Sequence, residues 1–182
     1  RQRVIEKLAD YDEEIMELFL DGKDVDNEKL KKAAREATIK MMITPVFCGS
    51  SYKNKGVHLL LDAIVDYLPS PTDVGAVVGT DIDTPEKTHA RHPSKKDPFA
   101  ALAFKLIHDP YVGQQTFIRI YSGELKTGMQ VYNSTKDKEE RIGRILRIHA
   151  NEREEVDTAG PGDIVALIGM KYTKTGDTLC DP

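Results

Sequence analysis

A Gly49-Ser50-Ser51 turn follows the apolar run Pro45-Val46-Phe47-Cys48, and Val57, Leu60, Leu61, Ile64, Val65 and Leu68 then recur at helical spacing until Pro69. Small residues between a strand and a helix let backbone N–H groups come close to a ligand, and a purine carbonyl such as guanine O6 accepts from such groups. Ser50 and Ser51 are therefore the candidates for holding one edge of a guanine base. The adjacent Lys53-Asn54-Lys55-Gly56 imitates an Asn-Lys-x-Asp specificity motif, but Val57 stands where the Asp that accepts from guanine N1–H and N2–H2 is required. No G-x-x-x-x-G-K-[ST] phosphate loop occurs. Phosphoryl transfer depends on cradling the phosphates and placing Mg2+. The chain is expected neither to hydrolyse GTP nor to bind it appreciably, and no catalytic residue or metal ligand is assigned.

These residues need a strand entering the turn at Pro45 to Cys48 and a helix leaving it, an edge of the kind at which open α/β sheets bind ligands. Upstream, Val4, Ile5, Leu8, Ile15, Met16 and Phe19 predict one amphipathic helix from Arg1 to Leu20, ended by Asp21-Gly22. Asp26 or Asn27 caps a second helix with Leu30, Ala33, Ala34, Ala37 and Met41 as its buried stripe. Between 70 and 98 the helical period disappears and prolines and glycines punctuate the chain, which reads as a linker with a short extended piece from Gly75 to Ile82. The domains expected are thus 1–70, a linker at 71–97, and 98–182.

After Pro98 the pattern is β. Strands are expected around Leu102 to Ile107, from Gly113 to a Ser122-Gly123 turn, through Met129 to Tyr132, from Arg141 to His149 with a bulge at Gly143, and from Asp163 to Gly169. The last is apolar on both faces and therefore central. Short strands at this spacing imply a small antiparallel β-barrel, and Gln114 to Pro182 is expected to be the stable unit. The chain has 182 residues, 40% of them hydrophobic and 31% charged, which suits a globular protein. A net charge of −4 argues against a broad basic grip on nucleic acid. Cys48, expected in a buried strand, and Cys180 form no metal spacing and are expected as free thiols. No signal peptide or membrane-spanning run is seen, so a cytoplasmic location and no membrane partner are expected.

The string CGSSYKNKGV followed by LLDAIVDYLPSP resembles the end of the GTPase domain of elongation factor G, with Ser50-Ser51 in place of the usual Ser-Ala. The second half resembles the β-barrel second domain of the same family in DPFAALAFKLIHDPYVGQQTFIRIYSG, VYNSTKDKEERIGRIL and TGDTLCD. The fold class implied is an α+β fragment: a helical αβ remnant of a P-loop GTPase domain followed by a translation-factor-type antiparallel β-barrel. The resemblance implies a full-length parent that binds GTP or GDP with magnesium and is a GTP hydrolase. It implies a ribosomal translocase, coupling hydrolysis to tRNA and mRNA movement, whose barrel docks on small-subunit RNA and proteins and packs on the remaining domains of the parent chain. The fragment itself is expected to carry no cofactor and no activity. Arg141, Arg144 and Arg147, taken from a wider set that includes Arg119, Lys126, Lys136 and Lys138, are the candidate ribosome contacts. The alternatives are a GTP-dependent release factor, a ribosome-protection protein, or a free-standing barrel that binds RNA or protein.

Overall fold

The computed structural model describes residues 1–81, 84, 86–150 and 152–181. The chain divides into two compact units, Arg1–Val74 and Gly75–Pro182.

The first unit is helical, with α1 (Gln2–Ala9), α2 (Glu13–Leu20), α3 (Asn27–Ile39), α4 (Val57–Tyr67) and the single turn α5 (Pro71–Val74). The one helix expected over Arg1 to Leu20 is two. The Asp12 side chain accepts the Ile15 N–H at 3.0 Å and starts α2 afresh, because a short carboxylate offers the backbone a cap in place of a continued helix. Asp26 caps α3 in the expected way, accepting from the Glu28 N–H at 3.0 Å. Ile5, Leu8, Ile15, Val25, Leu30, Ala33 and Ala37 form the unit's core. Met41, expected in that stripe, lies beyond the end of α3 with φ 58° and is exposed.

The strand expected from Pro45 to Cys48 does not form. The segment has no ladder, and Val46, Phe47 and Cys48 are exposed, because no other strand of this unit is there to satisfy its backbone groups. Helix α4 forms as its spacing predicts, yet its apolar row is open: Leu59 is 70% and Val65 77% exposed, with Leu60, Leu61 and Ile64 also exposed. Arg35 on α3 ties down its C-terminal end, donating to the Asp66 carbonyl at 2.9 Å and pairing with Asp73 at 2.6 Å.

In the second unit, β1 (Val77–Thr80) and β2 (Thr88–Arg91) form an antiparallel hairpin inside the stretch expected as linker. Compactness therefore sets the division at 74/75, and the hairpin is part of the second unit. Ile82, the end of the expected extended piece, lies outside the described residues. The remaining strands are β3 (Ala100–Asp109), β4 (Gly113–Ser122), β5 (Leu125–Lys126), β6 (Gln130–Asn133), β7 (Lys138–Arg141), β8 (Arg144–His149), β9 (Glu152–Val156), β10 (Thr158–Ala159), β11 (Ile164–Ile168) and β12 (Thr178–Cys180). One antiparallel sheet runs β7-β6-β12-β3-β4-β11-β8-β9, and β10-β5 forms a second ribbon. Phe99, Ala101, Ile118, Ile120, Val131, Ile145, Val165, Leu167 and Leu179 fill one barrel core. The expected start of the stable unit at Gln114 is too late: β3 pairs along its length with β4 and places Ala101 and Ala103 in that core.

Two glycines shape the barrel. Gly123, at φ 74°, closes the Tyr-Ser-Gly turn where an added Cβ would lie 2.4 Å from the Phe99 Cα. Gly143 splits the expected strand from Arg141 to His149 into β7 and β8: its N–H donates to the Ile168 carbonyl at 3.0 Å, and a Cβ there would sit 2.5 Å from that oxygen. Strand β9 has no counterpart in the sequence reading, since Glu-Arg-Glu-Glu carries no apolar alternation; its partner β8 holds it by register, Arg147 opposite Glu154. As expected, β11 lies between β4 and β8.

Candidate functional site

The loop after Cys48 is a tight hairpin. Ser50 and Lys55 exchange two backbone hydrogen bonds, both at 2.9 Å, and the Asn54 N–H donates to the Ser51 carbonyl at 3.1 Å. Gly49 and Gly56 make the close approach possible: a Cβ on Gly49 would meet the Lys55 carbonyl at 3.0 Å, and Gly56, at φ 77°, has Cys48 O and Gly49 Cα at 3.3 Å from where its Cβ would be. The two serines are thereby separated in role. The Ser50 N–H is committed to Lys55, whereas the Ser51 N–H has no partner among the described residues and lies on an exposed residue. A cup of about 300 Å3 opens here, walled by Phe47, Cys48, Lys55, Val57 and Leu60. A free N–H beside an apolar wall suits the carbonyl edge and one face of a purine base, so the residues present fit the guanine edge through Ser51 and supply nothing for phosphates or Mg2+.

The sequence is expected to hold no metal-side Asp-x-x-Gly of nucleotide hydrolases, and that expectation is wrong as to the string: Asp157-Thr158-Ala159-Gly160 spells it. The structure gives it another task. Thr158 and Ala159 pair with Lys126 and Leu125, the Asp157 carbonyl accepts from Thr127, and the Gly160 N–H donates to Asp163 at 2.8 Å. The motif is a barrel turn, and no phosphate loop accompanies it.

The three arginines expected to grip RNA do not make one row. Arg141 on β7 donates from Nε to the Gly128 carbonyl at 3.2 Å. Arg144 and Arg147 stand three apart on β8, hence on opposite faces. Each meets an acid of β9, Arg144 with Glu155 at 3.8 Å and Arg147 with Glu154 at 3.7 Å. Lys126 is likewise paired with Glu124 at 3.2 Å, and Arg119 lies over the Tyr121 ring.

A different basic cluster does assemble. Lys136 from the β6–β7 turn, Lys138 at the start of β7, and Lys171, Tyr172 and Lys174 from the β11–β12 loop line one open cup of about 370 Å3. Two buried carboxylates tie down the backbone behind it. Glu140 accepts the Lys171 N–H at 2.6 Å, the Tyr172 N–H at 2.8 Å and the Thr173 hydroxyl. Asp177 accepts the Lys174 N–H at 2.9 Å and the Asn133 amide at 3.0 Å. Burial pushes the Asp177 carboxyl upward, but the Asn133 and Lys174 hydrogen bonds and the charges of Lys136 and Lys174 outweigh it and hold it below the ordinary range. Lys138 Nζ lies 4.2 Å from the Tyr172 ring centroid, a cation–π contact that sets the ammonium in place. Lys171 and Lys174 escaped the sequence reading because their loop has no periodicity; the only trace was two lysines flanking a tyrosine and a threonine.

Among known proteins, residues 98–182 match the family described as Elongation factor G domain 2. A crystal structure of a protein from Thermus thermophilus is similar over 100% of this chain, with a TM-score of 0.72 and 28% sequence identity. This chain spans 24% of that protein's length. Residues 98–182 are thus similar to elongation factor G domain 2, and the whole chain is similar in fold to the Thermus thermophilus protein.

Proposed function

We propose that the parent protein is a ribosomal translocase: a cytoplasmic GTP hydrolase, working with GTP or GDP and Mg2+, that couples hydrolysis to tRNA and mRNA movement, with this barrel docking on the small ribosomal subunit. The observation that carries the reading is the joining, in one chain, of a guanine-edge loop with a free Ser51 N–H to a barrel similar to elongation factor G domain 2. In the parent, Ser51 donates to the guanine carbonyl while the tight Ser50–Lys55 bridge holds the loop's shape. The phosphate and metal contacts come from the rest of the parent, as does the cover for the open apolar row of α4. Arg141, Arg144 and Arg147 are separate candidate contacts to ribosomal RNA phosphates, Arg144 and Arg147 only on release from Glu155 and Glu154.

The experiment is made with the full-length parent on programmed ribosomes, following GTP hydrolysis and the position of the mRNA together. Ribosome-stimulated hydrolysis with a one-codon advance is expected. Stimulated hydrolysis with no mRNA movement would move the protein to another class of translational GTPase. Titration of the present chain with GTP and Mg2+ should give no micromolar isotherm, because one N–H to a base leaves the triphosphate unbound.

A further inference from the structure

We propose that the lysine cup formed by Lys136, Lys138, Lys171 and Lys174 around Tyr172 is the barrel's main contact with the RNA backbone. The inference rests on the docking reading above and names the place and chemistry of that contact.

Three observations point there. The first is uncompensated charge. Among the described residues no carboxylate comes within 4 Å of the ammonium groups of Lys138, Lys171 or Lys174; Lys136 is paired with Asp177 at 3.8 Å, so the free charge of the cup is that of the other three. By contrast Lys95, Lys126, Arg144, Arg147 and Arg153 each meet an acid within that distance. A paired arginine must release its partner before it can take a phosphate, so it gains little from the exchange. An unpaired lysine gives up only water and a counterion.

The second is the direction of the acids. Glu140 is 6% exposed and Asp177 3%, and their oxygens are turned onto backbone N–H groups, Thr173 and Asn133. These two acids tie down the backbone behind the cup and leave the ammonium groups of Lys138, Lys171 and Lys174 unpaired. On a chain of net charge −4 such a cluster is a local reversal of sign, which steers an anionic partner to one place.

The third is preorganisation. Two strand connections are tied together through Glu140 and Asp177, and Lys138 is set by the Tyr172 ring. Three unpaired ammonium groups, with Lys136 beside Asp177 as a fourth, line one open concavity and offer point charges to an anionic backbone. A tyrosine half-exposed at 48% and no large apolar area at the rim make the surface wrong for a protein helix. Lysines acting as point charges hold phosphates without reading sequence.

The test uses the full-length parent bound to a non-hydrolysable GTP analogue and isolated small ribosomal subunits, with affinity measured over a range of salt. Lys171→Gln with Lys174→Gln is expected to weaken binding and to make the salt slope shallower by about 1.4 to 1.8, two phosphate contacts' worth of released counterions. Both side chains are exposed and without an ion pair, so the thermal midpoint should not move, and Lys138→Gln should act in the same direction. If affinity and slope are unchanged while the wild type shows a steep slope and Arg141→Ala with Arg144→Ala and Arg147→Ala flattens it, the cup is wrong and the docking reading stands. Weaker binding with an unchanged slope would assign the cup to a ribosomal protein and overturn the RNA contact. A wild type that does not bind small subunits would end both readings.

Discussion

Removing the Glu140 carboxylate should loosen one loop far more than it unfolds the barrel. Its two oxygens take three donors from consecutive residues, the Lys171 and Tyr172 N–H groups and the Thr173 hydroxyl. Hydrogen bonds to an ionised group contribute about 1.5–3 kcal/mol each, and a buried donor left unmet costs about 1–3 kcal/mol. Such terms are not additive within one network, so Glu140→Ala is expected to lower the free energy of opening the loop by roughly 3 kcal/mol. Glu140→Gln keeps one acceptor oxygen for the two amides. Its new N–H2 faces a Thr173 oxygen that already accepts from Asn133 at 3.2 Å, so it should lower the opening energy by only about 1–2 kcal/mol. Amide hydrogen exchange on this chain reads the difference directly. Exchange at Lys171 and Tyr172 should speed up about 150-fold in Glu140→Ala and about 10-fold in Glu140→Gln, with the β11 amides little changed. Rates in Glu140→Ala within about threefold of wild type would refute the reasoning, and would take from the lysine cup its rigid backing.

Two further outcomes are expected from buried polar groups of the same barrel. Thr116 is fully buried on β4 with no hydrogen-bond partner for its hydroxyl among the described residues, so Thr116→Val should raise stability by about 1 kcal/mol in urea unfolding; a loss of that size would mean the hydroxyl is satisfied. Asp177 has a folded-state value below its ordinary one, so its contribution is whole above the unfolded value of about 3.9 and is lost as pH falls through the folded value. The gap in melting temperature between wild type and Asp177→Asn should therefore be widest near neutral pH and shrink in acid, and a gap constant with pH would contradict the assignment.

What the sequence made legible depended on whether an element's partners were local. Helix α4 and the capped start of α3 were readable because spacing and a cap residue are contained in a dozen positions. So was β11, whose two apolar faces announce a neighbour on each side. The segment from Pro45 to Cys48 failed for the opposite reason: apolar residues before a small-residue turn say strand, but a strand exists only where another backbone pairs with it, and this unit offers none. Strand β9 was invisible on the same ground, since four charged residues and a valine become a strand only because β8 lies beside them. The break at Gly143 was legible as a glycine and illegible as a strand end, because the group that forbids a side chain there is the carbonyl of Ile168, 25 residues on.

The site followed the same rule with one addition. Ser50 and Ser51 were found by residue type, but only the bridge to Lys55 shows which of the two N–H groups is available. Among cations, the sequence reading favoured Arg141, Arg144 and Arg147, three arginines of one expected strand, because an arginine's planar fork can grip a phosphate through two hydrogen bonds. The fold undoes that clustering twice: spacing of three turns Arg144 and Arg147 to opposite faces, and β9 lays Glu155 and Glu154 beside them. Lys138 and Lys171, 33 positions apart, come together because Glu140 reaches across from β7 to take the backbone of the β11–β12 loop. Charge that matters for binding is charge left without a partner after folding, and pairing of this kind is decided across the sheet, where a reading along the chain has no view of it.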